Sequence, residues 1–463
     1  MELAFDRAAG ARTIEGNQVR LLIDGPGAYR AMLDAIAAAR RTVHFENYII
    51  RDDDTGRRFA EALKARARDG LEVRVTYDWF GSIGTGSRFW RDLRSAGIQV
   101  RAFNTPKLFA AFANLSRDHR KLVVTDGRRA ITGGLCIGDE WVGNPTKGVQ
   151  PWRDTAIEIV GPAAASMDET FATTWHDASG LPDTSDHDSG RHLISDAAEG
   201  EAERGDASLR VIAGKPGRER AYKVLEMLAT SCAERLWITD AYMVPPPRLF
   251  QAFIDAARDG VDIRLLVPGS SDVGLVRNLT RIGYRDLLRA GVRIFEWLGP
   301  MLHAKTIVAD SRWSRVGTSN LNASSLLGNY ELDVIVDEEE FARELEDQFR
   351  RDVARSSEIV RNRRTSQRFD RVLPSRLARQ VPEQTPDGHR RTGREARRHA
   401  VVVMWTVVVG ARRSIFGPLA LILIALSGFF LGFPRVTAYL FGAICIWLGV
   451  AAARESLRRR GLD

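Results

Sequence analysis

At 463 residues the chain exceeds the usual reach of one hydrophobic core, so two domains, or one unit duplicated, are expected. With 44% apolar and 27% charged residues the composition is globular, and three scattered cysteines, Cys136, Cys232 and Cys445, exclude a disulfide framework and fit a reducing compartment. The net charge of +8 is concentrated, because residues 361–398 hold twelve Arg against four acidic residues; the remainder is near neutral, unlike the basic face of a nucleic-acid binder.

Met1 to Gln18 contains no apolar run, so a signal peptide is not expected. Val19 to Ile23 reads as a strand, Tyr29 to Ala39 as a helix, and Thr42 to Ile50 as a strand carrying Asn47-Tyr48 near its end. A helix then runs to Ala67-Arg68-Asp69-Gly70, followed by a strand, Glu72 to Tyr77, a helix ending at Gly97, and a further strand. The order recurs: Leu209 to Ala213, a helix from Arg218 to Ser231, Leu236 to Val244 with Ala241-Tyr242, a helix to Ala257-Arg258-Asp259-Gly260, Asp262 to Val267, and a helix ending at Gly291. Alternating strands and helices predict a duplicated α/β unit, with two mostly parallel sheets flanked by helices.

Asp177 to Asp206 holds nine acidic residues and two Arg without apolar periodicity, which predicts a solvated connector. Beyond the second unit, Ile415 to Phe433 and Val436 to Ala453 are uncharged runs of 19 and 18 residues, each long enough to cross a bilayer, joined only by Pro434-Arg435. Arg412 and Arg413 before them and Arg454, Arg458, Arg459 and Arg460 after them place both outer flanks in the cytoplasm. The basic stretch ahead of this hairpin suits anionic headgroups better than it suits a plain solvated linker. The predicted division is 1–176 and 208–360 for the two units, 177–207 for the acidic linker, 361–414 for the basic segment, 415–453 for two transmembrane helices and 454–463 for a basic tail.

One pattern occurs twice. His119 and Lys121 are followed by Asp126 and Gly133, and His303 and Lys305 by Asp310 and Gly317, at the same spacings. The chain has only eight His, and seven Lys against 60 Arg, yet both copies hold Lys. A compact ammonium on a flexible stem at both positions points to a phosphate group. Leu122 to Thr125 and Thr306 to Ala309 are strand-like, so His and Lys two apart would share a face. If the halves bring these ends together, two Lys stabilise charge on a phosphoryl group while two His divide the work. One His, neutral, attacks phosphorus, and the other, protonated, serves the leaving oxygen and then the acceptor. That division requires opposite protonation states, hence different environments. Asp154 and Glu331, each ahead of an apolar strand, are candidates to orient the imidazoles, and the chemistry needs neither a metal nor a cofactor.

The spacing His-x-Lys, four residues, Asp, six residues, Gly resembles the duplicated signature of the phospholipase D superfamily, over residues 19 to 360. Within it, His119-Arg120-Lys121-Leu122-Val123-Val124, Gly133-Gly134-Leu135, Trp152-Arg153-Asp154-Thr155, Ala241-Tyr242 and Gly317-Thr318-Ser319-Asn320-Leu321-Asn322 are similar to bacterial cardiolipin synthases. The resemblance implies a phosphatidyl-histidine intermediate on His119, with His303 as acid and base. It also implies that Lys121, Lys305 and Asn320 hold the phosphate, with Thr318 and Gly134 on the substrate side. Asp154 and Glu331 would support the two His, and Asp126 and Asp310 would stabilise local structure. Where the family often carries Asn seventeen residues after the first His, this chain has Cys136, a weak donor, so the two copies are not interchangeable.

Other residues have plainer readings. His44, His176, His187, His192, His389 and His399 lack the motif and read as structural or surface groups. Leu108, Phe109, Phe112 and Leu115 follow helical spacing and suit either an apolar lip or core packing, and Tyr48 and Tyr242 either border the pocket or simply pack. The expected activity is a membrane-attached phosphatidyltransferase that makes cardiolipin from phosphatidylglycerol at a bacterial inner membrane, with its catalytic region cytoplasmic. A hydrolytic phospholipase D is the alternative, since water can replace the alcohol. A nuclease fits the near-neutral catalytic region poorly, and a non-catalytic lipid-binding scaffold would be favoured by loss of a motif His, whereas both are present.

Overall fold

The computed structural model describes residues 2–105, 116–179, 205–360 and 447. The expected apolar lip at Leu108 to Leu115 lies outside the described residues, as do most of the acidic connector and, apart from Trp447, the expected membrane hairpin. Among the described residues no helix is long and apolar enough to cross a membrane.

In chain order the first half contributes strands β1 (Ile14–Ile23), β2 (Thr42–Asn47), β3 (Glu72–Asp78), β4 (Gln99–Phe103), β5 (Lys121–Thr125), β6 (Arg129–Gly133) and β7 (Thr155–Val160). The second contributes β8 (Ala207–Gly214), β9 (Arg235–Thr239), β10 (Asp262–Pro268), β11 (Arg293–Trp297), β12 (Thr306–Ala309), β13 (Trp313–Gly317), β14 (Glu331–Asp337) and a short β15 (Ser356–Glu358). They form one 15-stranded sheet in the order β15-β11-β10-β9-β12-β13-β14-β8-β1-β7-β6-β5-β2-β3-β4. Read outward from the central β8·β1 contact, the halves repeat each other: 8, 14, 13, 12, 9, 10, 11 against 1, 7, 6, 5, 2, 3, 4.

The expectation of two mostly parallel sheets is therefore corrected to one mixed sheet. Among the described strands only β2·β3, β3·β4, β9·β10 and β10·β11 pair in parallel. The helices that follow β2, β3, β9 and β10 make the crossovers parallel strands need, whereas each His motif leads into a tight hairpin, β5·β6 or β12·β13, that reverses the chain. The two sheets become one because β1 starts earlier than its apolar run suggests and pairs Ile14 with Leu209 and Asn17 with Ala207.

The recurrent Ala-Arg-Asp-Gly break has a local cause. The helices Asp54–Arg68 and Pro247–Arg258 both end there, and Gly70 (φ +86) and Gly260 (φ +98) take the left-handed conformation that turns the chain into β3 and β10. Helices 24–38, 54–68 and 87–95 pack on the first half, and 220–231, 247–258 and 274–290 on the second. A third core joins the halves, with Phe171 and Trp175 of helix Pro162–Ser179 and Phe341 and Leu345 of helix Glu339–Val353 among side chains from β1, β5, β7, β8, β12 and β14.

Asp126 and Asp310 occupy the two hairpin turns with φ 54 and φ 51, a region Asp tolerates better than most residues. Asp126 accepts the amides of Arg40, Arg41 and Thr42 at 2.9, 2.8 and 2.9 Å, and Asp310 those of Ala233, Glu234 and Arg235 at 2.8, 2.8 and 2.9 Å. Each carboxylate thus ties its hairpin to the entry of the neighbouring strand. Asp310→Ala should cost roughly 2–3 kcal/mol in denaturant unfolding, because three amides lose a charged acceptor, and Asp310→Asn should recover about half. Lost turnover at unchanged stability would instead give this Asp a part in the chemistry.

Candidate active site

The two motif His sit at the seam between the halves, just ahead of β5 and β12; Lys121 is the first residue of β5 and Lys305 immediately precedes β12. Short parallel bridges hold them there: the His119 amide donates to the Tyr330 carbonyl at 2.9 Å, and the His303 amide to the Arg153 carbonyl at 2.7 Å. Both imidazoles are buried, at 9% and 5% exposure, and their ring hydrogen bonds cross the seam. His119 Nδ1 meets Glu331 Oε2 at 3.0 Å, and His303 Nδ1 meets Asp154 Oδ2 at 2.8 Å. Each His of one half is oriented by the carboxylate of the other, which leaves both Nε2 atoms for a ligand. Sequence reasoning named both carboxylates but not the exchange, because nothing in spacing says which half a strand end faces.

Lys121 and Lys305 each donate to the carbonyl of their own motif His. The ammonium groups lie 5.2 Å from the Tyr48 ring and 5.9 Å from the Tyr242 ring. Tyr48 itself packs 5.0 Å from His119, and Tyr242 6.0 Å from His303, so both tyrosines border the site. An ammonium has three N–H donors, and one is used internally in each case.

The electrostatics tie the four motif groups into one site. Burial lowers His119 to about 4, helped by the charges of Lys121 and Lys305 and opposed by Glu331. Burial likewise lowers His303, helped by Lys305 and Lys121 and opposed by Asp154. Two cations and desolvation thus push both imidazoles in the same direction, towards neutrality. Burial also lowers Lys305 to about 8 and raises Asp240, beside it, to about 6. Burial alone would raise Asp154 and Glu331, but their His partners and the nearby Lys outweigh it and hold both carboxyls below the usual range.

The supporting shell differs from expectation at two positions. The Thr318 hydroxyl donates to Glu331 Oε2 at 2.5 Å and accepts the Leu332 amide at 2.9 Å, so it orients the carboxylate rather than facing a substrate. The Gly134 amide is committed to the Thr155 carbonyl at 3.0 Å, and a Cβ there would lie 2.1 Å from Asp154 Oδ1. Glycine at 134 makes room for the carboxylate rather than binding a ligand. Asn320 remains in place as a candidate through the N–H donors of its amide, while its buried Oδ1, an acceptor, has no hydrogen-bond partner among the described residues. Cys136 is buried, and burial raises its thiol.

Sequence reasoning missed the residues that finish this shell. Trp141 Nε1 donates to Asp154 Oδ2 at 2.9 Å, Ser325 donates its hydroxyl to Glu331 Oε1, and the Trp141 and Trp152 rings lie 5.8 and 5.5 Å from His303. Trp152 stood within the quoted Trp152-Arg153-Asp154-Thr155 but without a role, and Ser325 stands three residues after the helix cap Asn322, a spacing that marks none. Of the six other His, His44 is packed on Phe171 with Asp168 Oδ1 2.5 Å from its Nδ1, His176 is partly exposed, and the rest lie outside the described residues.

The comparisons with known proteins agree with this geometry. A family profile described as "Cardiolipin synthase, PLD-like domain" matches residues 32–142 and 225–353, one segment in each half. Cardiolipin synthase A of Pseudomonas aeruginosa (strain LESB58) is 34% identical over 381 residues, covering 82% of this chain and 75% of that protein. Cardiolipin synthase A of Pseudomonas fluorescens (strain SBW25) is 33% identical over 375 residues, covering 80% and 75%. Among solved structures, phosphatidylserine synthase of Haemophilus influenzae shares the fold with a TM-score of 0.61 at 14% identity, covering 80% of this chain and 97% of that one. With both halves of its seam matched, the chain belongs to the cardiolipin synthase family of phospholipase D-like enzymes.

Proposed function

We propose that the protein is a membrane-attached phosphatidyltransferase that joins two phosphatidylglycerol molecules into cardiolipin with release of glycerol. The observation that carries this reading is the pair of seam-crossing His–carboxylate contacts with two Lys beside them. His119 Nε2 attacks phosphorus of the first lipid, the P–O bond to its glycerol headgroup breaks, and His303 gives the leaving oxygen a proton. His303 then takes the proton from a hydroxyl of the second lipid, which attacks phosphorus as the N–P bond breaks. Lys121, Lys305 and Asn320 hold the phosphate oxygens. The negative charge of the bound phosphodiester opposes the two Lys and favours the protonated His303 that the first step needs.

A lipid substrate is supported by the surface near His119. Gly81, in the loop after β3, lies against Tyr48, which packs on His119, and the same loop exposes Phe80 at 42% and Ile83 at 63%. The Arg117 guanidinium stands 4.9 Å from the Phe80 ring, so apolar and cationic groups meet beside the motif as they do at a bilayer interface. The hairpin at 415–453 would keep this mouth at the inner membrane, with the catalytic halves in the cytoplasm. Incubating purified protein with headgroup-labelled phosphatidylglycerol tests the reading. Cardiolipin with stoichiometric labelled glycerol is expected; phosphatidic acid as the main product would make the enzyme a hydrolase, and no turnover by folded protein would refute both.

A further inference from the structure

His119 and His303 hold equivalent places, yet the residues beside them are unlike. Arg120 follows His119 where Ala304 follows His303, and Asp118 precedes His119 where Leu302 precedes His303. Arg120 is completely buried. Its Nε donates to the Glu331 carbonyl at 3.1 Å and its Nη2 to the Gly214 carbonyl at 3.0 Å, so it grips the paired ends of β14 and β8. Its Nη1 donates to the Thr170 carbonyl at 3.1 Å and the Thr174 hydroxyl at 2.5 Å, on helix Pro162–Ser179. Behind it lie two buried carboxyls, Glu46, whose Oε1 is 4.0 Å from Nη1, and the neighbouring Asp118, which burial and Glu46 push well above the usual carboxylate range.

A buried guanidinium with this many directed contacts is costly to install and useful for holding several chain segments in one geometry. Here the segments come from both halves and include the main chain of the residue that orients His119. The other carboxylate is held by a different route: Arg153 donates to the Asp154 carbonyl and reaches across the seam to Asp352, at 2.7 Å from its Nη2. Both orienting carboxylates are thus anchored through their own carbonyl oxygens by a buried arginine. Arg120 serves this purpose only in the first motif.

We propose that Arg120 is a positioning residue for the reaction: it acts through Glu331, fixing that residue's main chain at the seam so that its carboxylate meets His119 Nδ1. The inference rests on the phosphatidyltransferase reading only for its natural substrate. A seam clamp that merely supported the fold would lower stability without depending on which carboxylate is present. One that acts through Glu331 becomes redundant once that carboxylate has been removed.

The test is a double-mutant cycle on the full-length protein, read with phosphatidylglycerol in vesicles and with the soluble diester bis(4-nitrophenyl) phosphate. Arg120→Met should lower kcat by about 10- to 100-fold with KM changed by less than about 3-fold, the range for losing a partner that orients a functional ligand. In the Glu331→Gln background the same substitution should cost less than about 3-fold, whereas in the Asp154→Asn background it should cost its full factor again. Arg120→Lys, which keeps the charge but not the planar fork, should be intermediate. Full multiplicative loss in the Glu331→Gln background overturns the proposal. If Arg120→Met does not fold, Thr174→Val, which removes one anchor of the guanidinium, replaces it with a smaller expected loss and the same non-additivity. Turnover of the soluble diester without that of the lipid would refute the lipid reading and leave the cycle decisive; turnover of neither would overturn both.

Discussion

His119→Ala is expected to abolish covalent labelling of the protein by a phosphatidyl donor and to lower turnover by at least about 10⁴-fold, the scale seen when a covalent nucleophile is deleted. His303→Ala should behave differently: labelling slows because the leaving glycerol lacks an acid, and the adduct that forms persists because no base activates the acceptor. Acid-quenched protein carrying labelled acyl chains, digested and mapped by mass spectrometry, separates the two. Adduct on His303 in the His119→Ala protein would reverse the assignment. The depressed imidazoles fix the sign of the pH dependence. His119 must be neutral and is protonated only near about 4, whereas His303 must be protonated and loses its proton below its ordinary value of 6.5. For the free enzyme, kcat/KM should therefore peak on the acid side of neutrality, fall as pH rises through the His303 value, and fall again towards pH 4. A plateau extending to pH 9 would show that these two imidazoles do not govern the rate.

Lys305→Met should eliminate measurable turnover and make the protein more stable. Lys305 is fully buried, and desolvation pulls its ammonium from 10.5 down to about 8. A lowered ammonium value means that the folded state holds the charge less readily than the unfolded state does. Below pH 8 the group is charged in both states and the full penalty is present; it is relieved as pH rises from 8 to 10.5. The difference corresponds to roughly 3 kcal/mol at neutral pH as an upper figure, part of which Met recovers. Denaturant midpoints at pH 7 and at pH 10 check both the gain and its disappearance. A less stable Lys305→Met protein at pH 7 would mean that Asp154 and Asp240 depend on this cation more than burial opposes it. The expected trade is stability given up for a charge that the reaction uses.

Much of the site was legible because phosphoryl chemistry restricts residue choice. Duplicated His and Lys at matched spacing are improbable without a shared anion, and Asp154 and Glu331 stood out as carboxylates just ahead of apolar strands. Strand and helix order was legible from apolar periodicity, with ends displaced by a few residues, as at β1, where the polar stretch before Val19 pairs across the molecular centre. Sheet direction was not legible, because the periodicity of β5 and β6 is the same whether the chain crosses over or reverses through Asp126. Thr318 and Gly134 were misplaced for a related reason. Their positions in the motif are right, but a hydroxyl or a missing Cβ can serve a carboxylate as readily as a substrate, and only the Thr318–Glu331 and Gly134–Asp154 contacts distinguish these uses. Arg120 looked like an arbitrary residue between His and Lys, because every partner it holds is distant in sequence.

The exchange of carboxylates across the seam also sets when the protein can first act. His119 and its partner Glu331 are 212 residues apart, and His303 and Asp154 are 149 apart. A ribosome adding about 5–20 residues per second completes the first half well before the strand that carries Glu331 has emerged. Until β14 pairs with β8, His119 has no orienting carboxylate, and until His303 is made, Asp154 has no imidazole to orient. A nascent chain in which only the first half has folded therefore contains neither pair, and lipid chemistry waits for nearly the last strand of the sheet. Truncation ahead of Glu331 should therefore leave an inert protein, not a half-active one.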